Sequence, residues 1–132
     1  MFLRMLNDDQ KRALLILAYH LVVSDNSVSD GESELLDELA NGLRTDIPVT
    51  PQQLLERPSL KIFDTRQSRV ALMLELLTLS YGDNQVPSAE SVMIQKLARD
   101  LGFSDIETEK MKKWGESSCR LLNDALTLIE NK

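Results

Sequence analysis

The sequence predicts an all-α fold, a single compact bundle of six or seven helices built around two pseudo-repeated helical hairpins. Leucine and alanine recur at i, i+3 and i+4 along most of the chain, with few alternating β-branched runs. Helix-start signals, a small polar residue followed three positions later by Glu or Gln, recur ahead of apolar stretches. Most telling is a repeat: shifted by 58 residues, residues 13 to 43 align with 71 to 101 without a gap, eleven of 31 positions being identical.

In chain order, the first helix is expected from about Asp9 to Ser24, with Leu14, Leu17, Ala18 and Leu21 on one face and Leu15 and Val22 beside it. It is apolar nearly all round, which marks a central helix. A second is expected from about Asp30 to Leu43, its buried stripe formed by Leu35, Leu36, Leu39, Ala40 and Leu43 and its other face by acids. The stretch TDIPVTPQQLLERPS holds three of the four prolines and reads as a connector with one short helix, opened by Thr50, Pro51 and Gln53 and ending before Pro58. Asp64 and Gln67 have capping-box spacing ahead of a second central helix, Arg66 to Tyr81. A helix from about Ser88 to Leu101 follows, with Gly102 suited to a left-handed C-cap. Ser104 and Glu107 then open a last helix that runs towards Glu130, with a break or bend expected near Gly115. The pseudo-repeats span about 10–43 and 68–101 of one domain, 1–132.

Composition narrows the function classes. At 132 residues, 42% apolar and 27% charged, the chain is one ordinary globular domain, and aromatics at 5% leave the core to aliphatic side chains. The longest apolar run, Ala13 to Val23, falls short of the roughly 20 residues needed to span a bilayer. Acids precede it and no small-residue cleavage site follows, which argues against a signal peptide. A single cysteine, Cys119, excludes an intrachain disulfide and a Cys-rich zinc site and fits the cytoplasm. The net charge of −6 is concentrated: residues 24 to 46 carry seven acids against one base, Arg44. Such a patch repels phosphate backbones and favours cations or a basic protein surface, so nucleic acid is not the expected partner.

Within the repeat, SDNSVSDGE (24–32) is echoed by GDNQVPSAE (82–90), both containing D-N-x-V-x-x-x-E. One reading is structural. Asn26 takes a left-handed turn, Val28 drops into the core, and Ser29 with Glu32 forms a capping box. The second copy puts Pro87 where the first has Ser29, removing both the hydroxyl and the N–H the box needs, yet Asp83 and Glu90 stay at the same spacing. Ser88 would then cap, with Glu90 near the helix start favoured by the dipole. The other reading is a cation site. Asp25, Glu32, Asp83 and Glu90 offer hard oxygen donors suited to Ca²⁺, Mg²⁺ or Mn²⁺, and Glu34 and Glu38, like charges one turn apart with Asp37 between them, point to a ligand- or partner-facing surface. Neither loop is an EF-hand: the sixth and twelfth positions are Asp30 and Leu36 in one, Ser88 and Ile94 in the other, where Gly and Glu are required.

The stretches AYHLVVSDNSVSDGESELL and LTLSYGDNQVPSAESVMI resemble the TerB-like domain of tellurite-resistance proteins, also found at the N-terminus of a membrane-anchored DnaJ-type co-chaperone, over residues about 10 to 115. The family loop commonly reads A-x-x-D-G-x-[V/I/L]-[S/T]-x-x-E. This chain has Asn26 and Asn84 where Gly is usual and lacks the small Ala before the first Asp. The resemblance implies a roughly seven-helix fold without known catalytic activity, and an acidic surface for divalent metal or for membrane-associated stress-response protein partners. By motif position it carries over Asp25, Glu32, Asp83 and Glu90.

The remaining candidates have structural readings. His20, the only histidine, removes multi-histidine metal motifs and is expected in the core or at its boundary. Glu75 is either solvent-facing or a supporting carboxylate for the cation site, and Trp114 either packs the last helix or marks an interface. Lys110, Lys112 and Lys113 read as a solvated face.

Overall fold

The computed structural model describes residues 2–23, 41, 48–50, 52–80 and 88–130, with residues 22, 23 and 88–90 described by their backbone alone. Among the described residues are four α-helices: α1 (Asp8–Val23), α2 (Arg66–Ser80), α3 (Ser88–Asp100) and α4 (Asp105–Glu130). Three single-turn 3-10 helices, Leu3–Met5, Gln53–Leu55 and Leu60–Ile62, accompany them. The all-α class holds, but four helices stand where six or seven were expected. The connector's short helix is a single 3-10 turn, Gln53–Leu55, and the last helix is unbroken. The expected second helix lies, apart from Asn41, outside the described residues.

The repeat reaches further than sequence identity does. α1 and α2 start at residues 8 and 66, 58 apart, and each is opened by a reciprocal capping box at matching positions. At α1 the Gln10 N–H donates to Asn7 Oδ1 (2.8 Å) and the Asn7 N–H to Gln10 Oε1 (2.9 Å). At α2 the Ser68 N–H donates to Thr65 Oγ1 (3.1 Å) and the Thr65 N–H to Ser68 Oγ (3.3 Å). Both inner members, Gln10 and Ser68, are buried. The box therefore falls one residue later than the Asp64/Gln67 pair the spacing suggested. The register is set by burial: Ser68 shares a face with Ala71, Leu72 and Glu75, whereas Asp64 and Gln67 are exposed.

Equivalent positions are also buried alike. Ala13, Leu14, Leu15, Leu17 and Ala18 of α1 match Ala71, Leu72, Met73, Glu75 and Leu76 of α2, all buried. α2 packs against α1, α3, α4 and the first 3-10 turn, which makes it the centre of the core, as its nearly all-apolar sequence predicts. Phe63, buried just ahead of α2, and Leu97, Ala98 and Leu101 of α3 complete the same cluster.

Two further start and stop signals hold. The connector opens with Thr50 and Gln53 exchanging bonds, Gln53 N–H to Thr50 Oγ1 (3.2 Å) and Thr50 N–H to Gln53 Oε1 (2.9 Å). α3 ends in a Schellman turn: the Phe103 N–H reaches the Ala98 carbonyl (2.9 Å), the Gly102 N–H reaches that of Arg99 (3.0 Å), and Gly102 has φ +90°. The helix does not break at Gly115. That residue is buried in the middle of α4 on the same face as Thr108 and Met111, where the absence of a side chain suits close packing against the bundle.

α2 and α4 run in the same direction. At one end the guanidinium of Arg66 donates to Glu107 (2.6 Å) and lies 5.6 Å from the centre of the Phe103 ring. Further along, Phe2 bridges the pair, its N–H bound to Glu75 (2.7 Å) and its ring set edge-on to Trp114 at 5.6 Å. α2 stops five residues after Glu75, whereas α4 continues for sixteen after Trp114. The last turns of α4 therefore pass beyond the end of α2.

Candidate functional site

In the sequence each D-N-x-V-x-x-x-E segment follows one of the two central helices. α1 ends at Val23, two residues before Asp25, and α2 ends at Ser80, three residues before Asp83. Asp25, Glu32, Glu34, Asp37, Glu38 and Asp83 lie outside the described residues. Glu90 is placed by its backbone only, as the third residue of α3, inside the first turn where a carboxylate is favoured by the helix dipole. Ser88, expected as the cap of that helix, is itself helical.

Glu75 is not solvent-facing. It is 6% exposed, on the core side of α2, and its carboxylate accepts the Phe2 N–H. Its role is to hold the chain's first turn onto α2. Trp114 packs on the same segment, and Lys112 is tied across to α3, its ammonium donating to Gln95 Oε1 (2.8 Å), while Lys110 and Lys113 are exposed. Of the three lysines, two form the solvated face read from sequence.

His20 is half-buried, its Nε2 2.5 Å from the Leu54 carbonyl oxygen. A carbonyl only accepts, so Nε2 carries the proton and donates, fixing the connector against α1. Beside it opens a cleft of about 520 Å³, with Leu17, Leu60, Met93 and Leu97 as apolar walls and His20, Arg57, Lys96 and Asp100 at polar positions. Sequence reasoning missed this cleft. Its lining comes from α1, the connector and α3, and apart from the lone histidine none of those residues stands out by type or spacing.

The Ser104 N–H, then the Arg66 guanidinium and the Ser104 hydroxyl, hold the Glu107 carboxyl below its usual value. This capping box joins α4 to α2 and belongs to the scaffold.

Among the described residues, no three His, Cys, Asp or Glu side chains are grouped so as to hold a metal ion, and no helix is long and apolar enough to cross a membrane. The four motif carboxylates are not among those side chains. No family model, curated protein or solved structure matches the chain.

Proposed function

We propose that this chain is a non-enzymatic, TerB-like helical module that binds a divalent cation through its paired D-N-x-V-x-x-x-E loops and serves a tellurite or other stress response in the cytoplasm. The observation that carries the reading is the in-register repeat. Two helices with matching caps are each followed in the sequence by an Asp-Asn pair, two or three residues beyond Val23 and Ser80. A capping role accounts for Glu32 and Glu90 but does not ask for Asp25 and Asp83. Carboxylate oxygens are the donors Ca²⁺, Mg²⁺ and Mn²⁺ select, so Asp25, Glu32, Asp83 and Glu90 are the residues that would hold the ion.

The test is calorimetry and thermal melting of chelator-stripped protein with each cation. Saturating metal is expected to raise the melting temperature, and Asp25→Asn with Asp83→Asn to abolish both heat and shift. Binding that ignores the double substitution, or none at all, overturns the proposal.

The seven acids of residues 24–46 favour a second reading, a metal-free adaptor whose Glu34, Asp37 and Glu38 meet a basic surface on a protein partner, membrane-associated or not. Adaptor binding weakens steeply with ionic strength and is indifferent to chelator, which separates the two.

A further inference from the structure

We propose that the last four turns of α4 are a self-association surface, on which a second copy of this chain docks as an antiparallel helix. The helix is built on one seven-residue pattern from end to end. Its bundle-facing residues, Thr108, Met111 and Gly115, are spaced 3 and 4 apart, and the same spacing continues through Ser118, Leu122, Ala125 and Ile129. Burial does not continue with it. After Gly115 no residue of α4 is buried, and Leu121, Leu122, Leu126, Leu128 and Ile129 are between 45% and 76% exposed.

Two physical arguments require a partner for this stretch. A helix of about 15 residues is marginal in water without packing, so an amphipathic extension past the end of α2 draws its stability from something laid along it. Five large apolar side chains exposed on neighbouring positions of one helix face are also what a protein interface presents, rather than an ordinary solvated surface.

The pattern selects a second copy as that partner. Placed antiparallel with position numbers summing to 247, every large core residue meets a small one: Leu122 faces Ala125 of the other copy, and Ile129 faces Ser118. In the same register Leu121 lies beside the second copy's Leu128 and Cys119 beside its Leu126, so both edges of the seam are apolar as well. One patch thus complements itself about a two-fold axis. The polar side disfavours a lipid surface, since Glu116, Asp124 and Glu130 outnumber Arg120, and Arg120 is already bound to Glu116 at 3.1 Å.

Sedimentation equilibrium on the full chain tests this directly. The expected result is a dimer whose mass halves in Leu122→Asp with Ile129→Asp, both exposed positions, with the helical circular dichroism of the bundle retained. Orientation is read by mild oxidation. Wild type should give no covalent dimer, because two Cys119 residues sit far apart in this register, whereas Leu126→Cys should cross-link through Cys119. Cys119→Ser with Leu126→Cys should not, its two thiols being offset by five residues, roughly 7.5 Å along the axis and out of disulfide reach. A monomer at high micromolar concentration, a dimer indifferent to the double aspartate variant, equal cross-linking in both cysteine variants, or monomers that bind lipid vesicles instead would overturn it.

Discussion

The Glu75 carboxylate accepts the backbone N–H of Phe2 at 2.7 Å, tying the start of the chain to the middle of the central helix α2. Burying a carboxylate is costly unless its oxygens are bonded, and Glu75 stands where the equivalent position of α1 carries Leu17. Glu75→Ala should therefore lower stability by about 1–3 kcal/mol, since it leaves the Phe2 N–H without its acceptor and opens space in the core. Glu75→Gln keeps an acceptor and should cost less. Urea denaturation of the two variants checks the order, and equal losses would show that charge, rather than the bond to Phe2, is what matters there.

The twin capping boxes predict matched effects at residues 58 apart. Gln10→Ala and Ser68→Ala should each cost about 1 kcal/mol, typical of a lost cap, with Gln10 the larger because its amide also ties α1 to the distant Ile62 carbonyl (2.8 Å), whereas the Ser68 hydroxyl donates within its own turn, to the Thr65 carbonyl (2.8 Å). Chemical denaturation measures both. A silent Ser68→Ala would mean that the α2 box adds nothing to core packing.

Gly102 holds φ +90°, and a Cβ added there would meet nothing within 4 Å. Space is no obstacle, so the cost of Gly102→Ala isolates backbone strain and should be about 1–2 kcal/mol by thermal denaturation. Gly102→Asn should lose less, because asparagine tolerates the left-handed region better than alanine.

Glu107 gives the stability a defined acid limb. Its folded-state carboxyl titrates below the usual 4.5 because the Ser104 N–H, Arg66 and the Ser104 hydroxyl bind the charged form. A lowered carboxyl contributes stability that is complete above the unfolded value and is lost as pH falls through the lower folded one. Glu107→Ala should consequently melt below wild type at neutral pH, with the gap closing only under pH 4.5. A gap constant down to strong acid would assign the loss to packing instead.

How much of this was legible in advance varies by residue. The Ser104/Glu107 and Thr50/Gln53 boxes and the Gly102 stop were readable because each is closed by neighbours three to five residues apart, within reach of local chemistry. The Thr65/Ser68 box was misplaced by one residue because two overlapping polar pairs compete there, and only the need to bury Ser68 beside Ala71 and Leu72 decides between them. A break was expected at Gly115 because glycine weakens an isolated helix, whereas here the residue is buried on a packed face and the helix runs through it.

By itself the sequence determined the helical class, the two central helices and the 58-residue repeat that places an Asp-Asn pair after each, because periodicity and covalent order are written in the chain itself. Tertiary structure alone decided that Glu75 faces inward to Phe2, that His20 donates to Leu54 and lines a cleft, and that α4 runs on past the end of α2 with its apolar stripe exposed. These depend on which distant segments meet, a matter settled by how the whole apolar surface is shared among the helices and not by any local pattern.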